Sequence, residues 1–145
     1  MTNDREKLTE EQEKQIIIDK LVAEHDIEKL IQFTDINIQE KIRENALMIV
    51  KYRDLYHAEL GQLEVLEDKL EALKGKRYHH YRFEYEKELT KVEIERYYLP
   101  QDPFILKMNK LIRRQKVKVR FFEMCYKAFE KQQWNLKLFW ETIKF

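Results

Sequence analysis

Residues 104–145, FILKMNKLIRRQKVKVRFFEMCYKAFEKQQWNLKLFWETIKF, contain the most regular apolar repeat in the chain. Apolar side chains recur there at alternating spacings of three and four residues, and two glutamines are the exceptions. The set is Ile105, Met108, Ile112, Gln115, Val119, Phe122, Tyr126, Phe129, Gln133, Leu136, Trp140 and Ile143. This spacing predicts one long helix, beginning near Phe104, with a continuous buried seam.

Beside this seam other faces of the same helix are also apolar, at Phe121, Met124, Cys125 and Ala128. One neighbouring helix cannot cover so wide a surface. We therefore predict that the helix packs both on an earlier helix and on copies of itself, in a homo-oligomer. A monomeric helical bundle is the alternative. The side chains predicted at the interface between copies are Val119, Phe122, Tyr126, Phe129, Leu136 and Trp140.

A second seam of the same spacing precedes the first. Its apolar members are Ile42, Ile49, Tyr52, Tyr56, Leu63, Leu66, Leu70 and Leu73, and Asn45 and Glu59 are its polar members. The pattern is typical of a coiled coil. It resumes beyond Gly75 through Tyr81, Tyr85, Leu89 and Val92, so the sequence leaves open whether Gly75 is a bend or a turn.

Capping residues and prolines give the remaining boundaries. Thr9 and Gln12 fit a capping box at the start of a first helix that we expect to run to Phe33. The stretch FTDIN, residues 33–37, would end it, with Asp35 or Asn37 capping the next helix. LPQDP, residues 99–103, is a clear break because its two prolines cannot donate backbone hydrogen bonds.

Composition agrees with an all-α fold. The 145 residues include two glycines, two prolines and 38% charged residues. Strands and tight turns would need more glycine and proline. We predict long helices in a coiled-coil-like hairpin or bundle. The predicted division is an acidic N-terminal helix and linker over 1–37 and a helical domain over 38–145, with a basic patch at 74–83 and an oligomerisation helix at 104–145.

Several function classes lack their residues here. The two glycines cannot form a phosphate-binding loop, and neither HExxH nor a di-iron ExxH pair occurs. His79 and His80 are adjacent, so on a helix they point apart and are poor partners for one metal. Cys125 is the single cysteine and is expected to be a buried, inert thiol in a reducing compartment. We expect no enzyme activity, no cofactor and no metal.

The formal net charge of +1 conceals an asymmetry. Residues 1–73 contain 10 Lys/Arg and 18 Asp/Glu, whereas residues 74–145 contain 18 and 9. Two stretches without acids are prominent in the second half: LKGKRYHHYRF, residues 73–83, and KMNKLIRRQKVKVR, residues 107–120. Cations repel one another unless an anion is near, and aromatic rings among them provide stacking faces for unpaired bases. The predicted DNA-binding residues are Lys74, Lys76, Arg77, Tyr78, Tyr81, Arg82, Lys107, Arg113 and Arg114.

These stretches together resemble the UvsY family of recombination mediators from T-even-type phages, over about residues 40–145. LKGKRYHHYRF is similar to the family's Leu-Lys-x-basic stretch with paired tyrosines, and LPQDPFILK to its Leu-x-x-Asp-x-x-hydrophobic-Leu-Lys. Cys125 and Ala128 match in the last helix. The chain departs from the family at His79 and His80 and in its more aromatic C-terminus. Positions 1–35 have no counterpart.

The resemblance implies a non-catalytic protein that binds single-stranded DNA and forms a ring of six or seven subunits. Such a protein helps a RecA-like recombinase displace the single-strand DNA-binding protein. Lys74 and Lys76 fall on the family's basic DNA-contacting positions. Leu99, Asp102, Leu106 and Lys107 fall on its loop and helix start.

A rival interpretation is a structural coiled-coil or scaffold protein of a virus, in which the basic run binds acidic protein surfaces. The polar N-terminus, MTNDREKLTEEQEKQ, resembles neither a signal peptide nor a membrane span, and no apolar run elsewhere approaches the length of one. We therefore expect no membrane partner and a cytoplasmic location, which is the host cytoplasm if a phage encodes the chain.

Overall fold

The computed structural model describes residues 9–32 and 37–144, and within these ranges every regular element is helical. The prediction of an all-α fold with long helices that pack on each other is therefore confirmed. The α-helices are α1 (Glu10–Glu24), α2 (Ile27–Ile31), α3 (Ile38–His79), α4 (Lys91–Glu93) and α5 (Pro103–Lys144).

The start of α1 agrees with the sequence prediction. The Thr9 hydroxyl accepts from the Gln12 backbone N–H at 3.2 Å, and the Gln12 side-chain oxygen accepts from the Thr9 N–H at 3.0 Å. The predicted run to Phe33 is wrong, because α1 ends at Glu24. Asp26 then accepts from the Lys29 N–H at 3.2 Å and caps the short α2. Phe33 and Asp35 lie outside the described residues.

His25 occupies the break between α1 and α2. Its backbone N–H donates to Leu21 O at 2.8 Å, which closes the last turn of α1. Its Nδ1 lies 2.9 Å from the hydroxyl of Tyr52, a residue of α3 that is 1% exposed. The end of α1 thus coincides with a tertiary contact between residues 27 positions apart and with a local signal, the N-cap Asp26 of α2.

Helix α3 is 42 residues long and continues through Gly75, which is neither a bend nor a turn. Past His79 the chain makes one wider, π-helical turn, His80–Glu84, and then leaves the helix over residues 85–90. The predicted continuation through Val92 is thus interrupted, and Val92 is 59% exposed. The Thr90 hydroxyl caps α4 by accepting from the Glu93 N–H at 3.3 Å.

After α4 follow a second π-helical turn, Ile94–Tyr98, and a 3-10 turn, Leu99–Gln101. The break predicted at residues 99–103 is therefore confined to Asp102, whose extended backbone separates the 3-10 turn from α5. Helix α5 begins at Pro103, one residue before the predicted start, and proline is well suited to the first turn of a helix.

The chain divides into two compact units. Unit 1 comprises the described residues of Met1–Glu59 and Val117–Phe145, and unit 2 comprises Leu60–Lys116. This division differs from the predicted boundary after residue 37. Helices α1 and α2 pack against the core of unit 1.

Unit 1 is centred on aromatic rings. Phe129 stacks on Tyr52 with ring centroids 5.2 Å apart and an interplanar angle of 26°. Phe122, Cys125 and Leu21 complete the buried cluster. Helices α1 and α2 of the same chain thus partly cover the apolar faces of α5 beside its seam. The sequence analysis had predicted that copies of α5 cover these faces.

This packing revises the predicted interface between copies. Four of the six side chains, Val119, Phe122, Phe129 and Leu136, are between 0% and 7% exposed, and Tyr126 and Trp140 are half-buried. A second copy could touch the four buried side chains only by displacing this chain's own residues. They are core residues of unit 1.

Polar contacts fix the relative register of α3 and α5 in unit 1. The Asn45 amide donates to the Phe129 carbonyl and to the Gln133 side-chain oxygen, both at 2.8 Å. Toward the C-terminal side of α3, Tyr56 contacts Tyr126 with ring centroids 5.3 Å apart. The numbering rises on one helix as it falls on the other, so these segments of α3 and α5 run antiparallel.

Candidate nucleic-acid interface

The acid-free run on α5 is a set of exposed cations. Within unit 2 its members are Lys107, Lys110, Arg113, Arg114 and Lys116, and each is exposed. Lys107 and Lys116 form no ion pair with any residue that the structure describes. In unit 1, Lys118 and Arg120 continue the run and are also exposed. The exposed cations of α5 within unit 2 can attract an anionic partner without first breaking internal pairs at Lys107 or Lys116.

Helical geometry aligns some of these cations. Lys107, Lys110 and Arg114 are spaced by three and then four residues, so they share one face of α5. With a rise of about 1.5 Å per residue they lie about 4.5 Å and 6 Å apart along the helix axis. A strand of phosphates lying along α5 would meet them in succession.

The cluster at 73–83 is less available than its sequence suggests. Lys76 is exposed and has no ion-pair partner among the described residues, and Lys74 is exposed with Glu71 3.4 Å away. Arg82 donates to the Leu89 carbonyl at 2.6 Å. Tyr78 is half-buried against the apolar cluster formed by Tyr81, Leu89 and Ile94. Lys74 and Lys76 are therefore the members of this cluster best placed to contact an anionic partner.

Arg77 and Tyr81 belong to a network around Asp102. Arg77 Nε donates to Asp102 Oδ2 at 2.8 Å, and the Tyr81 hydroxyl donates to the same oxygen at 2.6 Å. The other oxygen of Asp102, Oδ1, accepts from the backbone N–H groups of Phe104 and Ile105 at 2.9 and 3.1 Å. Asp102 is fully buried and caps α5. Arg77 and Tyr81 thus hold α3 and the following turn to the start of α5 within unit 2.

The network shifts the acidity of its members. Burial alone would raise the pKa of Asp102, but the hydrogen bonds from Tyr81, Arg77 and the Ile105 N–H stabilise the carboxylate and bring its pKa below the usual range. The bond to Asp102 raises the pKa of Arg77 further. Burial, followed by the bond to Asp102, raises the pKa of Tyr81. At neutral pH the network is an ion pair with a neutral phenol.

Sequence reasoning assigned Arg77 and Tyr81 to DNA and did not give Asp102 a partner. The missing signal was local: Asp102 directly precedes a proline and an apolar helix, which is the pattern of an N-cap. The pattern cannot tell which side chains fill the remaining acceptor positions. That information comes from the fold, which brings residues 77 and 81 to residue 102.

His79 and His80 lie near one carboxylate, and Cys125 is buried. His79 and His80 lie 3.8 and 3.2 Å from the two carboxylate oxygens of Glu84. Among the described residues, no group of three or more His, Cys, Asp or Glu side chains is arranged to hold a metal ion. Cys125 is buried, and burial raises the pKa of its thiol to about 11. It is therefore a protonated, weakly nucleophilic thiol at neutral pH.

No helix in the described ranges has an apolar stretch long enough to cross a bilayer. No family model, curated protein or solved structure matches this chain. The likeness to UvsY mediators is a hypothesis that depends on the sequence stretches quoted above.

Proposed function

We propose that this chain is a non-catalytic recombination mediator that binds single-stranded DNA and helps a RecA-like recombinase displace the single-strand DNA-binding protein. The observation that supports it most is the exposed, acid-free run of cations on α5, with Lys74 and Lys76 as further exposed cations of unit 2. Phosphate contacts of this kind provide most of the sequence-independent affinity for nucleic acid.

The proposal includes assembly into a homo-oligomer of six or seven subunits in which α3 and α5 form a coiled-coil-like hairpin. A strand that touches the cations of successive subunits gains affinity through effective concentration, so each patch can be weak. Wrapping the strand loosens a binding protein that prefers it extended, and recombinase can then load.

The supporting observation for assembly is a group of large apolar side chains left in solvent in unit 1. They lie on α3 and α5 and are between 46% and 71% exposed. Leu47 and Val50 are three residues apart on α3, and Trp134 and Leu138 are four residues apart on α5, so each pair shares one helix face. Adjacent exposed apolar side chains can mark a protein interface. The group consists of Leu47, Val50, Met124, Trp134 and Leu138.

DNA binding is tested by anisotropy of a fluorescein-labelled thymidine oligomer across a salt series. Replacing Lys107 and Lys110 together by alanine removes two cations from one face of α5, so it should weaken binding and flatten the log–log salt dependence by about 0.7 for each phosphate that the variant no longer neutralises. The matched control is Lys131→Ala with Lys137→Ala, which removes the same charge from exposed positions of unit 1. Equal affinity and slope for both double variants and the parent protein would contradict the proposal.

Assembly is tested by sedimentation of Trp134→Asp with Leu138→Asp. Both side chains are exposed, so the folded chain should tolerate the change, while a charged pair at an interface should dissociate the oligomer. Far-UV circular dichroism verifies folding. A parent protein that sediments as a monomer contradicts the oligomer directly.

The second candidate is the structural protein of the sequence analysis. The exposed apolar group favours it as much as it favours a mediator, because both require assembly. The anisotropy experiment separates the two candidates. A scaffold protein whose cations bind acidic protein surfaces has no need to bind the thymidine oligonucleotide at physiological salt.

A further inference from the structure

Unit 2 contains an open cleft of about 720 Å3 that none of the predicted roles uses as a cavity. Residues of the two π-helical turns and of the 3-10 turn line it. Four of its lining side chains are tyrosines: Tyr81, Tyr85, Tyr97 and Tyr98. Its volume is within the range of about 300–1,000 Å3 that is typical of small-molecule sites.

Three of these tyrosines are in mutual ring contact. Tyr81 is anchored by its hydroxyl to Asp102 and contacts the ring of Tyr98 at 5.4 Å between centroids. The ring of Tyr85 stands edge-on to both, at 5.4 Å from Tyr81 and 5.6 Å from Tyr98. Tyr85 is nevertheless 40% exposed, so part of its ring faces solvent.

Tyr97 is different from the other three. It is 59% exposed, and it makes no ring contact and no hydrogen bond with any residue in the described ranges. A large planar ring at the edge of an aromatic cleft is a surface on which another planar group can stack. Packing within the chain does not account for it.

The polar side chains of the cleft favour a planar ligand with hydrogen-bonding edges. Gln101 offers both a donor and an acceptor, and Glu93 offers acceptors. His80 Nδ1 already lies 3.2 Å from Glu84 Oε2, so Nε2 is the ring nitrogen left for a ligand. Arg96, next to Tyr97 in the chain, is exposed and has no ion-pair partner among the described residues. A nucleobase attached to a phosphate backbone combines these properties: a flat ring, a polar edge and a negative charge outside the cleft.

We propose that the tyrosine cleft receives one unpaired nucleobase of the bound strand, stacked against the exposed rings of Tyr97 and Tyr85. This inference rests on the proposed binding of single-stranded DNA and adds a base-stacking subsite to the phosphate contacts on α5. Stacking on an aromatic ring is tolerant of base identity, which suits a protein that must bind any sequence.

The test compares a thymidine oligomer with an oligomer of equal length in which abasic sites replace the bases. Both probes offer the same phosphates, so their difference in affinity isolates the contribution of the bases. We expect the parent protein to bind the thymidine oligomer about tenfold more tightly. Tyr97→Ala should lose most of this preference and bind the abasic oligomer as the parent does. Tyr97→Phe retains a ring and should retain the preference.

Phe83→Ala is the matched control. Phe83 is 71% exposed and belongs to the first π-helical turn, but it does not line the cleft and its ring contacts His79. This variant should keep the preference for bases. Circular dichroism of every variant verifies that unit 2 is folded.

The outcomes are distinguishable. If the parent protein binds neither oligomer, DNA binding itself fails and the base subsite fails with it. If the parent binds both equally, or if Tyr97→Ala keeps the full preference for bases, the subsite is refuted while DNA binding stands. A Tyr97→Ala variant that weakens both probes by the same factor also refutes the subsite, because it indicates a contribution independent of bases.

Discussion

The two compact units of this chain have chemically different centres. In unit 1 the most buried large side chains are aromatic and aliphatic, with Phe129 and Leu136 at 0% exposure. In unit 2 a carboxylate, Asp102, is as deeply buried as the apolar Ile94. Apolar packing stabilises in proportion to the area buried and depends little on direction. A buried carboxylate instead demands specific donors at specific positions.

The two centres stabilise different parts of the fold. The core of unit 1 secures α1, α2, α3 and α5 through burial. The network of unit 2 fixes the irregular chain between α3 and α5, where the π-helical turns and the tyrosine cleft lie. Two substitutions, one in each unit, test the contrast, and a third tests α3 within unit 2. Both tryptophans lie in unit 1, so their fluorescence reports on the unfolding of that unit.

The largest effect is expected from Phe129→Ala. The ring is 0% exposed and stacked on Tyr52, so its removal leaves a cavity and should lower the free energy of unfolding by about 3–5 kcal/mol. Urea denaturation followed by tryptophan fluorescence measures it. Trp134→Ala, at a position 63% exposed, is the control and should change stability by less than about 0.5 kcal/mol when followed by circular dichroism. Similar losses for both variants would show that unit 1 is not organised around this ring.

Asp102→Asn should have the next largest effect. Asparagine can still cap α5, so the change mainly removes the negative charge that accepts from Arg77 and Tyr81. Hydrogen bonds to charged groups are worth about 1.5–3 kcal/mol, and a loss of that size is expected in urea denaturation followed by circular dichroism. Asp68→Asn, an exposed acid of α3 in unit 2, should be nearly neutral.

The pH dependence of this loss identifies its cause. Because the pKa of Asp102 is lowered by folding, its stabilisation is fully present above the carboxylate's unfolded pKa of about 4. It is lost as the pH falls through the lower folded pKa. The difference between the parent and Asp102→Asn should therefore be constant near neutral pH and shrink in acid. A difference that does not change with pH would mean that the charge is not responsible.

The smallest effect, and the only stabilising one, is expected at Gly75. The position lies inside α3, and a Cβ built there meets no atom within 4 Å. Gly75→Ala should raise the free energy of unfolding by about 1 kcal/mol through helix propensity alone. Gly61→Ala, also in α3 and equally open, should behave alike. If only Gly61→Ala stabilises, residue 75 is required to bend.

The apolar seams of α3 and α5 show which features of the fold the apolar repeat predicts and which it does not. Repeats of three and four residues identified both helices and most of their buried side chains, because one face of a helix must be apolar to be covered. The same repeats could not say what covers them. Phe122 and Phe129 were assigned to a second copy, whereas Tyr52 and the helices α1 and α2 cover them within one chain. An apolar repeat predicts that one face of a helix is buried but does not identify the residues that cover it.

The candidate site likewise combines features that the sequence predicted with features that it did not. Exposure of Lys76 and Lys107 agrees with a sequence that places cations off the apolar seams, since charged side chains are rarely buried unpaired. The positions of Arg77 and Tyr81 were not predictable, because their partner Asp102 is more than 20 residues away. Tyr97 was overlooked because a tyrosine at helical spacing is indistinguishable from a core residue in the sequence.

The amino-acid sequence by itself determined the helical class, the capping box at Thr9, the start of α5 within one residue and the clustering of cations, because these depend on neighbours within a few positions. Tertiary structure alone decided what packs against the end of α1, how the chain turns after α3 and which tyrosines face solvent. Those features depend on contacts between residues far apart in the chain, such as His25 with Tyr52 and Asp102 with Tyr81. Local propensity is too weak to specify such contacts, and the free energy of burying them selects among the alternatives.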